Sequence, residues 1–146
     1  MTDYIVDSTI VAKWLLPEAQ SEEARALIGS SFTLRAPDLL LPELASALWK
    51  RVTRGELTTG ESEELLRTFL DRHFDVTVRL LPSGLVIKRA LQIALAEGRS
   101  IYDCIYLALA VQTQCVLITA DDRFAKAIRS NVLKPHIISL DEFRLE

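Results

Sequence analysis

Apolar positions along the chain alternate between short continuous runs and stripes at helical spacing. Tyr4 to Val6 is a run that breaks at Asp7-Ser8, after which Ile10, Val11, Trp14 and Leu15 recur at helical spacing until Pro17. A strand is therefore expected to feed a helix at Asp7. Glu18 to Ile28 reads as a second helix and Thr33 to Ala36 as a short strand. Pro37 onward reads as the start of a long helix ending near Arg54-Gly55, with Pro42 admissible only in its first turn. Thr58 to Arg72 places Leu65, Leu66, Phe69 and Leu70 on one face, Asp75 to Leu80 alternates like a strand, and Ser83 to Ala96 returns to a helical period that stops at Glu97-Gly98-Arg99. Asp103 to Gln112 is apolar nearly all round, which suits a helix buried on most sides, and Cys115 to Thr119 is a β-branched run of strand length. A short helix over Asp121 to Ser130 and a last strand at His136 to Ser139 complete the pattern.

Strands alternating with amphipathic helices predict an α/β domain, a mainly parallel sheet flanked by helices in three layers. No linker, repeat or low-complexity segment interrupts the chain, so residues 1–146 are expected to form one domain. In such a sheet, right-handed crossovers put the C-terminal ends of the strands and the starts of the following helices on one edge, where ligands bind.

Composition narrows the chemistry. Half the residues are apolar (49%), enough for a sizeable core, and 17 basic against 20 acidic residues leave a net charge of −3, with no global positive field to attract nucleic acid. Met-Thr-Asp-Tyr at the start carries no basic region before an apolar stretch, and the longest apolar run, Cys104 to Val111, is too short to span a bilayer. A cytoplasmic protein without membrane contact is expected. Cys104 and Cys115 lack paired spacing and read as core thiols. Two isolated histidines, His73 and His136, exclude a histidine-rich metal site, and no glycine-rich phosphate loop occurs. The chemistry must rest on carboxylates.

Each of the relevant acidic residues has an ordinary structural role to hand. Asp7 is placed to cap a helix, and Glu43 lies where the dipole of the long helix favours a negative charge. Asp103 completes a capping-box spacing with Ser100. In Thr119-Ala120-Asp121-Asp122 the same spacing uses Asp122, which leaves Asp121 without a structural task. All four nevertheless stand at strand ends or helix starts, on the edge where ligands bind. Such a cluster, with no Lys or Arg read into it, repels itself and calls for a cation, and hard oxygen ligands indicate Mg²⁺ or Mn²⁺ in preference to zinc.

The same residues carry a family resemblance. IVDSTIVAKWLLPE from Ile5, LLPELASALWKR from Leu40, SIYDCIYLALA from Ser100 and LITADDRF from Leu117, in this order, resemble the motifs of PIN-domain nucleases and most of all those of VapC toxins of type II toxin-antitoxin systems, over Tyr4 to Leu140. The resemblance implies that Asp7, Glu43, Asp103 and Asp121 are metal-binding and catalytic, supported by the hydroxyls of Ser8 and Thr119, with Asp122 able to assist. It implies a Mg²⁺-dependent endoribonuclease acting on RNA, with Mn²⁺ as a substitute, a homodimer, and a cognate antitoxin that blocks the site; an RNA-processing nuclease without an antitoxin is the alternative. Lys13, Arg99, Arg123 and Lys126 lie near the same predicted edge and are candidates for phosphate contacts. The helices bearing Trp14, Trp49 and Phe69 offer apolar surface to partners or belong to the core. A phospho-accepting receiver-like domain fits less well, because the first strand ends in one Asp followed by Ser-Thr. An Asp-nucleophile phosphatase would want a second Asp where Thr9 stands.

Overall fold

The computed structural model describes residues 3–145. Five strands form a sheet in the order β3-β2-β1-β4-β5, parallel throughout: β1 (Asp3–Val6), β2 (Thr33–Pro37), β3 (Val78–Leu81), β4 (Val116–Thr119) and β5 (Ile137–Ser139). Seven helices flank it: α1 (Ser8–Leu15), α2 (Ser21–Arg25), α3 (Leu40–Thr53), α4 (Thr59–Arg72), α5 (Ile87–Glu97), α6 (Ile101–Gln112) and α7 (Asp122–Ala127). The chain runs from β1 outward to β3 through α1–α4, then returns past β1 and runs outward again from β4 to β5. Right-handed crossovers therefore set α1–α4 on one face and α5–α7 on the other. The direction of winding changes between β1 and β4, and the crevice at the C-terminal ends of those two strands is the topological switch point.

Buried aliphatics of β1, β2 and β4, including Ile5, Val6, Leu34, Leu117 and Ile118, alternate between the two faces of the sheet, and one face packs against α6, whose residues Cys104 to Ala110 are all buried. The apolar character of α6 on every side has this cause: it lies across β1, β2 and β4 and is covered from behind by α5. Both cysteines are free and buried. Trp14 and Phe69 belong to the core, whereas Trp49 is 64% exposed on α3. His73 packs against both core aromatics and pairs its Nδ1 with the Thr77 hydroxyl at 2.8 Å. No helix among the described residues is long and apolar enough to cross a membrane.

Several boundaries move inward from the periodic reading. The second helix is only Ser21–Arg25, because Gln20 takes a left-handed backbone (φ 64°) and Ser21 turns its hydroxyl back to the Leu16 carbonyl at 2.8 Å. Pro37 ends β2 instead of opening α3. It stands opposite Leu81 and beyond the residues of β2 that pair with β1, so its missing N–H costs no bond on that side. Pro42 does fall in the first turn of α3. Asp75 lies in a left-handed turn (φ 58°) ahead of β3, Ser83–Leu85 is a 3₁₀ turn before α5, and His136 closes a 3₁₀ turn before β5. After Ala127 the backbone becomes extended at Ile128, which cuts α7 short of Ser130.

Candidate active site

Asp7 is the residue at which β1 gives way to α1. Its extended backbone (φ −102°) ends the strand, and its Oδ1 accepts the N–H groups of Thr9 at 3.1 Å and Ile10 at 3.3 Å, as an N-cap should. The Thr9 hydroxyl also donates to this oxygen. The same hydroxyl accepts the Ala120 N–H at 2.9 Å and lies 3.5 Å from the Thr119 hydroxyl, which accepts the Asp121 N–H at 3.1 Å. A short chain of hydroxyls thus stitches the end of β1 to the end of β4 across the switch point. Burial pushes the Asp7 carboxyl up to about 6, against the opposing hydrogen bonds from Thr119, Thr9 and Ile10, and the charge of Asp103 adds to the rise.

Glu43 enters from the first turn of α3 and Asp103 from the first turn of α6. The Tyr106 hydroxyl, one turn beyond Asp103, donates to Glu43 Oε1 at 2.7 Å. Burial raises the Glu43 carboxyl above its usual range; Tyr106 opposes this, Asp103 reinforces it, and the nearby Ser8 hydroxyl opposes it further. Tyr106 is itself raised by burial and by the Glu43 charge, so it remains a hydrogen-bond donor throughout the ordinary pH range.

Asp103 fulfils half of the expected capping box. Its N–H donates to Ser100 Oγ at 3.2 Å, but its carboxylate turns to Arg99 Nη2 at 2.9 Å. Its carboxyl is raised by burial, lowered by Arg99 and raised again by Asp121. Asp121 caps α7, with Oδ1 accepting the Phe124 N–H at 3.1 Å, while its Oδ2 lies 3.6 Å from the same Arg99 Nη2. Two expectations are corrected here. Asp121, not Thr119 in a capping box with Asp122, is the cap of α7 and so has a structural task, the Thr119 hydroxyl being taken by the Asp121 N–H; and the cluster does contain a basic group, Arg99.

The model of the PIN domain family matches residues 4–129. The chain belongs to the PIN-domain family. This PIN domain is 31% identical over 122 residues to Ribonuclease VapC3 of Pyrobaculum aerophilum, covering 84% of the chain and 92% of that relative. Its fold is similar to that of Mycobacterium tuberculosis VapC20, a sarcin-ricin loop cleaving toxin (TM-score 0.64, 16% identity, covering 87% of this chain and 99% of that one). It is also similar to VapBC2 from Rickettsia felis, solved bound to a DNA fragment from their promoter (TM-score 0.61, 14% identity, covering 94% and 97%).

Among the described residues of this PIN domain, no three His, Cys, Asp or Glu side chains converge closely enough to enclose an ion as they stand. The cause is visible in the partners: Asp7 is held by Thr9, Glu43 by Tyr106, and Asp103 and Asp121 by Arg99. The donor set nonetheless suits a hard divalent cation. It offers only carboxylate oxygens, and the charge of Asp103 raises the pKa of both Asp7 and Glu43, as that of Asp121 raises Asp103.

The expected phosphate contacts divide. Lys13 donates to the Ala19 carbonyl at 2.7 Å and sits 3.5 Å from Glu18, so it is engaged in the turn between α1 and α2. Arg99 lies inside the carboxylates. Arg123, Lys126 and Asp122 are exposed on α7, the helix that Asp121 caps. Two site residues were missed from sequence. Thr9 had a signal, since a hydroxyl two residues after a strand-end Asp suits a local turn bond. Tyr106 had a weaker one, its position three residues after Asp103 on one helix face.

Tyr106→Phe is expected to keep the ring packed while removing the donor that favours ionised Glu43. The pH at which Glu43 ionises should then rise, as read from its side-chain ¹³C carboxyl shift in the PIN domain. An unchanged titration would show that the 2.7 Å bond does nothing for the charged form.

Proposed function

We propose that this PIN domain is a Mg²⁺-dependent endoribonuclease, with Mn²⁺ as a substitute, and the toxin of a VapBC-type pair. The observation that carries the reading is the position of Asp7, Glu43, Asp103 and Asp121, each at a strand end or in the first turn of a helix on the switch-point edge, in a PIN chain 31% identical to a VapC ribonuclease. These four side chains would hold the metal. When bound, a divalent ion supplies an activated water at neutral pH and charge stabilisation at the scissile phosphate.

The chain's own residues supply the frame. Thr9 and Thr119 fix Asp7, and Tyr106 and Ser8 orient Glu43. Arg123 and Lys126, exposed beside the site, are placed to position an RNA backbone without reading its bases, as is Arg99 once freed from the carboxylates; Lys13 would serve only after leaving Ala19. Partners on this reading are an RNA substrate, a cognate antitoxin and a second copy of the chain, all in the cytoplasm. An exposed apolar stripe on α5, Ile87, Leu91 and Leu95, supports the homodimer.

The test is cleavage of a mixed panel of structured and single-stranded RNAs by purified protein with Mg²⁺, with Mn²⁺ and with EDTA, beside Asp7→Asn. Cleavage that disappears with EDTA and in the variant is the expected result. Cleavage that survives both, or no cleavage of any RNA under any condition together with no binding of Mn²⁺, overturns the reading.

A further inference from the structure

Arg99 is seated between Asp103 and Asp121, and its placement is built, not incidental. It is the middle residue of the joint between α5 and α6: Gly98 ends α5 in a left-handed conformation (φ 70°) and Ser100 caps α6, so the backbone on both sides is fixed. Its guanidinium carbon stands 5.0 Å from the centre of the Phe124 ring on α7, a cation–π contact on the helix that Asp121 caps. One nitrogen, Nη2, reaches both Asp103 at 2.9 Å and Asp121 at 3.6 Å. Nε is shielded from solvent and has no hydrogen-bond partner, a cost that the side chain bears in order to reach the two carboxylates.

We infer that Arg99 is a resident competitor of divalent ions: it bridges Asp103 and Asp121 in the ion-free chain and must be displaced before those two carboxylates can bind metal. The inference rests on the proposed metal-nuclease reading and adds to it an internal control on metal loading. It accounts for the failure of the four carboxylates to converge, since two of them are turned toward one guanidinium. It also makes the concentration of free divalent ion, and not only a partner protein, a determinant of when the site is armed. Once released, the guanidinium remains anchored on Phe124 beside the site.

Mn²⁺ binding measured by electron paramagnetic resonance separates the outcomes. Arg99→Gln is expected to bind Mn²⁺ about tenfold more tightly than the unaltered chain, within the range of ordinary coupling between two competing ligands, and Arg99→Lys to fall between them. Without ions, Arg99→Gln should melt a few degrees lower, with Mn²⁺ restoring the difference, because Asp103 and Asp121 then face each other unpaired. A merely structural role would weaken Mn²⁺ binding in the variant. Weaker or unchanged binding in a folded Arg99→Gln chain overturns the inference while leaving the nuclease reading in place. Failure of the unaltered chain to bind Mn²⁺, with no RNA cleavage, overturns the parent reading itself.

Discussion

Asp103→Asn is expected to lower the rate of RNA cleavage by about a thousandfold without unfolding the protein. Asp103 is the electrostatic centre of the site: its charge acts on Asp7 and Glu43, and it feels that of Asp121. Removing it deletes a donor that the other three carboxylates cannot replace, since they sit at the cap of α1, in the first turn of α3 and at the cap of α7 with their own partners. The size follows the loss of about 10²- to 10³-fold seen when one preorganised electrostatic contact is removed from an active site. The fold should survive, because the bond that starts α6 runs from the Asp103 N–H to Ser100 Oγ and does not involve the altered side chain. Single-turnover cleavage of the best RNA substrate, with circular dichroism as a fold control, checks both halves. A variant that cleaves within tenfold of the unaltered chain would show that Asp103 is an ordinary helix-start residue.

Asp7→Asn is expected to abolish cleavage and, in EDTA, to make the protein more stable. Burial pushes the native Asp7 carboxyl up to about 6, well above the usual carboxylate range, so the folded state holds its proton more tightly than the unfolded state does. Below about pH 4 both states are protonated and nothing is lost; as pH rises through 6 the native state must carry a buried charge, and stability falls. A shift of that size corresponds to about 3 kcal/mol of destabilisation at neutral pH and above. Asparagine carries no charge and keeps an Oδ1 to accept the Thr9 and Ile10 N–H groups. For a domain of this size the variant should melt roughly 5–10 °C higher at pH 8, the gap closing toward pH 4. Adding Mn²⁺ should narrow the gap by stabilising only the unaltered chain. Equal or lower melting of the variant at pH 8 would mean that hydrogen bonding, not burial, governs Asp7.

The alternation of strand runs and helical stripes was enough to predict five strands in their places, because each apolar period reports one buried face. The relation between α6 and the sheet was legible for the same reason, in a segment apolar on every side. Helix ends were less legible where a side chain overrode the period, as Ser21 does on Leu16 and as Pro37 does at the open end of β2. The placement of Asp7, Glu43, Asp103 and Asp121 followed from parallel topology together with the family motifs. The state of the site did not. Arg99 stands four residues before Asp103, a spacing that fits any exposed helical ion pair, and only the Gly98 turn and Phe124 direct it inward. Local periodicity contains no record of such long-range partners, and Thr9 bonding to Ala120 is another of them.

The hydroxyl stitch between Thr9 and Thr119 closes a separation of 110 residues. Parallel pairing of β1 with β4 is thus among the least local steps in the folding of this chain, and contacts of such high sequence separation form slowly. Asp7 and Asp121 face one crevice only after that closure. A nascent or partly unfolded chain therefore holds its acidic residues on separate segments, and arming of the site is coupled to completion of the whole fold.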